Sequence, residues 1–542
     1  MLLGTRSEAT SEGAAAVLLT FRRSFRIVKV RRVGWSGRPL NAAWGHRLSY
    51  VVVFAVAFGL RLLVPLTSRG LVGNYSYDAS VYYSAGAALV HGRVPYRDFI
   101  LLHPPGAMLA AAPAAWIGRL TSDHTGFALA MLEFTVFGAA SAVLVVVVAR
   151  GLGVGSRAAL AGGLFYAMWF PSVRNEYLSR LEPLGNFLLL CALLGYVGIG
   201  GRHSKRSAVL CGAGLGAATS VKIWYAAPLV VVLCFLVARR RPDDAGRAIL
   251  GAVAAVVLTW GPFFAAAPSD MWQMVISNQL GRDQVNPVRA LVMLQQLPPG
   301  LSRQAALLLD IALLVCVGVL LVAARRAPAV RLPAALLLAN AVVLVAGPSW
   351  FFSYFDYLTP AAALSIATGA AAIGAVRRET GTLAARACAV AGAVVVVMAL
   401  VVPARRLWYG HDQARVSLPS RQLGAAVTGL RCVMSDSPMA LIGLNVLSRN
   451  LADGCPNWID VTGRTYASDM DVRGEDGRPV PRLANPRWQE ALRTYLLSGD
   501  AVIIMRAKDV GISPPTWEAI VGGGILATEG AHSIYRVDSG RN

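Results

Sequence analysis

The stretch LSYVVVFAVAFGLRLLVP, Leu48–Pro65, decides the class of this chain. It is almost wholly apolar, with one Arg near one end, and a spanning helix needs about 20 mostly apolar residues. A second run, ACAVAGAVVVVMALVVP at Ala387–Pro403, carries no charge at all. Of the 542 residues, 56% are hydrophobic and 15% are charged. A soluble domain carries about 25% charge. The long runs and the missing charge together give a polytopic α-helical membrane protein.

Apolar periodicity gives about eleven spans, near 46–66, 126–149, 156–171, 181–200, 206–221, 223–238, 247–267, 305–324, 331–347, 353–376 and 384–403. The net charge of +22 would suggest nucleic acid in a soluble chain. Here the basic residues cluster in short connections: Arg150–Arg157, Arg202–Arg206, Arg239–Arg247, Arg325–Arg331 and Arg377–Arg386. That is the positive-inside pattern of cytoplasmic loops, and nucleic acid is not expected as a partner. The N-terminus is then cytoplasmic and the tail lies outside, in a multi-pass plasma-membrane protein. Residues 1–45 form a basic N-terminal segment suited to anionic headgroups. No cleavable signal peptide is read, because the first apolar run begins near Leu48 and is long enough to stay as an anchor.

Pro104–Leu120 is apolar but short and carries three prolines, so it is read as an interfacial helix on the outer face. Large outer loops then span 67–125 and 268–304 of the membrane domain, 46–403. From 404 to 542 the composition changes to alternating short elements. Strands are expected at Cys432–Ser435, Trp458–Val461, Ala501–Arg506, Ile525–Thr528 and Ser533–Val537. Helices are expected at Pro438–Asn450, Trp488–Leu497 and Thr516–Val521. This is a small extracytoplasmic α/β domain. Its two cysteines, Cys432 and Cys455, form an even pair suited to a disulfide. The other five cysteines fall in spans and are read as packing residues.

Chemistry is sought at the outer ends of the spans. The segment NYSYDASVYYSAGAALVHGRVPYRDFILLHPPG, Asn74–Gly106, holds Asp78, Arg97, Asp98 and His103. A carboxylate there can accept a proton from an attacking hydroxyl, and Arg or His can hold a phosphate. The plain alternative is a polar loop with a local Arg97–Asp98 turn. In RNEYLSRLEPLGN, Arg174–Asn186, the ionisable Arg180 and Glu182 sit at a span boundary, where charge is costly. Snorkelling at a helix end is the plain alternative there. Lys222 in TSVKIW either anchors the interface or meets an anion. WFFSYFDYLTP, Trp350–Pro360, carries Tyr354 and Asp356 within an aromatic belt. Arg282 in NQLGRD completes the set. GLGVG at Gly151–Gly155 has no strand before it, so a nucleotide reading fails. CGAGLGA, Cys211–Ala217, offers small residues for helix packing.

The order of these pieces resembles the GT-C superfamily of integral membrane glycosyltransferases. The likeness is to the bacterial branch related to protein O-mannosyltransferases and lipid A aminoarabinose transferases. It rests on YDASVYYSAGAALVHGRVPYRDF, LLHPPG, SRLEPLGN and TSVKIW, and covers about residues 45–403. The resemblance implies a sugar donor on a polyprenyl phosphate, and an acceptor that is a cell-envelope glycan, a glycolipid or a protein. It implies Asp78 as catalytic base and Glu182 as the second acidic position. It places Lys222, Arg180, Arg282 and His103 around the donor phosphate. His103 stands where relatives often carry Lys before Pro-Pro. A paired Asp-x-Asp motif is missing, so no cofactor is assigned and divalent-metal dependence stays open. Two rivals remain on the residues alone: a transporter or flippase of lipid-linked sugar, and a non-enzymatic scaffold presenting the tail.

Overall fold

The computed structural model describes residues 40–67, 70–73, 76–198, 204–280, 304, 318–347, 351–380 and 421–537. Arg282, the expected spans 384–403 and most of 305–324, and the expected domain boundary near 404 lie outside them. Residues 40–48 are the described part of a separate N-terminal unit, and they begin the first helix.

The membrane part is built from helices. They are α1 Leu40–Leu66, α2 Tyr77–Val90, α3 Gly106–Leu120, α4 Asp123–Gly151, α5 Ser156–Met168, α6 Leu181–Val197, α7 Lys205–Thr219, α8 Ala226–Ala238, α9 Pro242–Ala266, α10 Pro328–Ala346 and α11 Thr359–Thr380. Among the described residues, five helical stretches are long and apolar enough to cross a membrane. These are Arg47–Leu66, Asp123–Gly151, Pro242–Ala266, Pro328–Ala346 and Ser353–Val376. Several other expected spans are real but short helices. At 1.5 Å per residue, a helix as short as α5 reaches only about 20 Å. The chain there breaks at Trp169 and continues as a short helix, Phe170–Asn175. The stretch at Pro104–Leu120 is a helix packed along α2 and α4, and it is not one of the five.

Small residues set the helix packing. A Cβ on Gly212 would meet the Ala248 carbonyl oxygen at 1.8 Å, and one on Gly251 would meet that of Val209 at 2.2 Å. Helices α7 and α9 therefore touch backbone to backbone, as small-residue membrane interfaces do. A charged group is also buried in the bundle. Arg61 donates from Nε to Glu176 at 2.8 Å, Tyr166 donates to the other Glu176 oxygen at 2.6 Å, and Arg61 and Glu176 are fully buried. Arg61 also donates to the carbonyls of Ala57 and Ala167, so its buried charge is paired and hydrogen-bonded.

The tail holds a four-stranded sheet in the order β1-β2-β4-β3. The strands are β1 Val433–Ser435, β2 Ala501–Ile503, β3 Ile525–Glu529 and β4 His532–Arg536. β1 and β2 are parallel; the other pairings are antiparallel. Helix α12, Pro486–Leu496, buries Trp488 and Leu492 against this sheet. Two expectations fail here. Trp458–Val461 is a turn-rich loop and not a strand. The helix expected at Pro438–Asn450 is two, Pro438–Gly443 and Leu447–Ala452. The break is at Asn445, whose φ of 59° is left-handed, a conformation that Asn tolerates. That turn lets the Asn445 side chain accept from the Asp123 backbone N–H at 2.8 Å, while the Asp123 carboxylate accepts from Ser448. The tail thus docks on the start of α4, and one apolar core runs from α2 and α3 into Leu441, Leu447 and Ile503.

Cys432 and Cys455 are disulfide-bonded. The Cys455 carbonyl accepts from Arg93 at 3.0 Å, which ties the segment after the bridge to the end of α2. Cys455→Ser is expected to destabilise the tail by about 2–4 kcal/mol. A melting temperature unchanged by the substitution, or by reduction of the native protein, would show that the bridge does not constrain it.

Candidate functional site

Three helical starts converge on one cavity. α2 opens at Tyr77 with Asp78 in its first turn. α6 opens after the extended residue Arg180, with Glu182 in its first turn. Lys222 is extended between α7 and the 3-10 turn Ile223–Tyr225 that leads into α8. Each N-terminus presents backbone N–H groups and the positive end of a helix dipole, which together suit an anion.

The cavity measures about 460 Å³. Asp78, His103, Arg180, Glu182, Lys222 and Tyr354 line it. The sequence separates these residues widely, and the fold brings them together. At its floor, Lys222 Nζ lies 2.8 Å from Glu182 Oε1, with both side chains almost fully buried. The ammonium also lies 3.6 Å from the centre of the Trp224 ring and 3.9 Å from that of Tyr354. Aromatic faces attract a desolvated cation, which helps to hold the charge in place. Nearer the mouth, Asp78 pairs with Arg180 at 3.4 Å, and the Asp78 side chain is 53% exposed. Asn175 joins the two pairs: it accepts from Arg180 at 3.1 Å and donates to Glu182 at 3.3 Å. Arg180 Nε is buried without a hydrogen-bond partner among the described residues. An unmatched guanidinium N–H of this kind suits an anionic oxygen.

The loop before α3 closes one side. Gly106 N–H donates to the Ser220 carbonyl at 2.8 Å, two residues before Lys222. A Cβ on Gly106 would meet that oxygen at 2.6 Å. The glycine after Pro104–Pro105 thus lets the His103 loop press directly on the Lys222 turn.

Other expected residues lie elsewhere. Arg97 and Asp98 pair with each other at 2.8 Å on the surface, and Arg97 holds the Asp98 carboxyl below the usual carboxylate range. Asp356 is fully buried behind the cavity, accepting from Ser172 and Asn175. It supports the Asn175 link without lining the cavity.

The sequence reading missed Tyr77 and Tyr82, which line the cavity with Asp78 and Val81. Tyr82 lies one helical turn after Asp78 and Val81 one turn after Tyr77, a spacing that a helical α2 makes a usable signal. It also missed the wall supplied by the tail, including Asp460, Thr462, Arg482 and Arg506. Nothing in the sequence linked those residues to Asp78.

The chain has the helical fold of the GT-C glycosyltransferases. It is similar to ArnT from Cupriavidus metallidurans, solved with undecaprenyl phosphate, at a TM-score of 0.57. That match is 15% identical and covers 92% of this chain and 99% of that one. It is also similar to the archaeal oligosaccharyltransferase AglB from Archaeoglobus fulgidus, solved with an inhibitory peptide and a dolichol-phosphate. There the TM-score is 0.52 at 13% identity, over 87% of this chain and 70% of that one. The family model of Glycosyltransferase family 87 matches residues 101–353. That range takes in His103, Arg180, Glu182 and Lys222, and leaves Asp78 and the tail outside. No curated protein matches the chain in sequence.

Removing one partner of a buried ion pair typically costs about 3–5 kcal/mol, because the other charge is left unpaired. Lys222→Met should therefore lower the melting temperature of the purified protein, and Glu182→Gln in the same chain should restore part of the loss. Additive losses in the double variant would contradict a direct pair.

Proposed function

We propose that the chain is a membrane glycosyltransferase that moves a sugar from a polyprenyl phosphate to an extracytoplasmic acceptor with inversion. The observation that carries this reading is the polarity of the cavity. The half-exposed Asp78 carboxylate stands at its mouth beside Arg180, and the buried Lys222 lies at its floor, with helix N-termini opening around them. The described apolar helices give a lipid tail a place beside the floor. The phosphate then meets Arg180 and the Lys222 turn, with His103 across from them.

Asp78 accepts the proton of the acceptor hydroxyl as its oxygen attacks the anomeric carbon. The bond from that carbon to the phosphate oxygen breaks as the new glycosidic bond forms. The leaving polyprenyl phosphate keeps the electron pair. Arg180 and the three helix starts stabilise the charge that grows there, in positions fixed before reaction. Glu182 holds Lys222 in place and keeps the buried site from excess positive charge. The cavity faces away from the cytoplasm if the basic connections lie inside. ArnT, solved with undecaprenyl phosphate, supplies the analogy for the donor.

The test is transfer by purified protein from a panel of polyprenyl-phosphate sugars, with Asp78→Asn beside the wild type. Loss of a general base typically costs about 10²–10⁴-fold in turnover. Turnover in Asp78→Asn equal to wild type would refute the base assignment. Stable lipid binding with no transfer from any donor would favour the flippase reading.

A further inference from the structure

The cavity has a second wall that belongs to the tail, and its chemistry differs from that of the floor. Asp460 sits in the loop after the disulfide. Its Oδ1 accepts from Tyr77 Oη at 2.8 Å, from the Gly463 N–H at 2.8 Å and from Thr462 Oγ1 at 3.2 Å. All three bonds fall on one oxygen. None of these bonds falls on the other, Oδ2, and Asp460 lines the cavity. Burial, together with the nearby Asp78 carboxylate, raises the Asp460 pKa from its ordinary value. The two carboxylates therefore face the same space.

A second, independent group points into that space. Tyr82 is only 7% exposed and lines the cavity. Its hydroxyl makes no hydrogen bond among the described residues, although Asp78, Glu182 and Asp460 are all close enough to act on it electrostatically. A hydroxyl on so largely buried a side chain usually has a partner. Here a bound molecule can supply one.

The cations on this wall are largely engaged within the protein, and of their donors Arg506 Nη1 is buried with no hydrogen bond among the described residues. Arg482 donates to the carbonyls of Asp509 and Thr462 and to Thr465 Oγ1. Arg506 pairs with Asp509 at 3.2 Å and lies over the Tyr77 ring at 3.9 Å. Beside these cations the tail wall offers an incoming group the Asp460 carboxylate oxygen, and the Tyr82 hydroxyl faces the same cavity from α2. The carboxylate calls for a hydrogen-bond donor and repels a phosphate, while the hydroxyl can donate or accept.

We propose that Asp460 and Tyr82 form an acceptor subsite for a neutral polyhydroxylated ligand, a glycan. Asp460 Oδ2 takes a sugar hydroxyl, and Tyr82 takes its neighbour, so that the reacting hydroxyl is presented to Asp78. Tyr77 is the positioning residue: it starts α2 beside Asp78 and fixes the tail carboxylate with its own hydroxyl. The subsite deepens the transferase reading and rests on it for the word acceptor.

The test separates the two. Binding of short-chain hexyl mono- and disaccharides, and of undecaprenyl phosphate, is measured by calorimetry on the full-length protein, so no turnover is needed. Asp460→Asn keeps an oxygen for the three internal bonds and replaces the open oxygen by an amide. It is expected to weaken glycoside binding about tenfold, since bonds to a charged acceptor are the stronger ones. Undecaprenyl phosphate binding should stay within about twofold, and the melting temperature should hold. Tyr82→Phe should weaken the same glycosides and spare the lipid. The inference is overturned by glycoside affinity unchanged in both variants, by no glycoside binding to wild type, or by parallel loss of the lipid. It is also overturned if a Ser/Thr peptide binds at Asp460 in place of sugars. Full turnover in Asp78→Asn would remove the base assignment and leave these binding results standing.

Discussion

The buried pair of Lys222 and Glu182 is the contact on which the site depends. A lone ammonium at that depth would be too costly to keep charged, and a lone carboxylate likewise. Together, and with two aromatic rings against the ammonium, they pin the start of α6 to the turn before α8. Asn175 then extends the order outward to Arg180 and, through it, to Asp78. The Asp78 end of the cavity is half exposed, and its position is set by a network whose inner members are buried.

The tail is part of this arrangement. Its docking on α4 through Asp123 and Asn445 carries the loop with Asp460 over the open side of the cavity. The Tyr77 hydroxyl bridges that loop to the helix that carries Asp78. The membrane side thus brings Arg180, Lys222 and the helix starts to the cavity, and the tail adds the Asp460 carboxylate beside Arg482 and Arg506. In the proposed reaction, a charged leaving group and a neutral nucleophile are drawn to different sides of one space.

The apolar runs, the small-residue stripe of α7 and the helix after Pro-Pro were legible because each follows from local pattern. Asp78, Lys222 and His103 stood out through the resemblance to the GT-C superfamily, while Arg180 and Glu182 stood out because charge at a span boundary is costly; all five line one cavity. Asp356 was singled out by the same logic, and the fold buries it behind the cavity as a support for Asn175. The Trp458–Val461 loop looked like a strand because its apolar residues do pack inward: Ile459 and Val461 are core. Its backbone, however, is turned to present Asp460 to Tyr77, a contact 383 residues apart in sequence. Long-range contacts of that kind leave no periodic trace. Among the described residues five stretches reach spanning length, and expected spans such as α5 and α7 are apolar helices shorter than that.

The most direct measurement is an experimental structure of the full-length protein with undecaprenyl phosphate bound. The account predicts the phosphate at the floor of the cavity, within hydrogen-bond reach of Arg180 and against the Lys222 turn, with Asp78 on its open side. A phosphate seated at the basic connections of the opposite end, or on the tail wall beside Asp460, would contradict it.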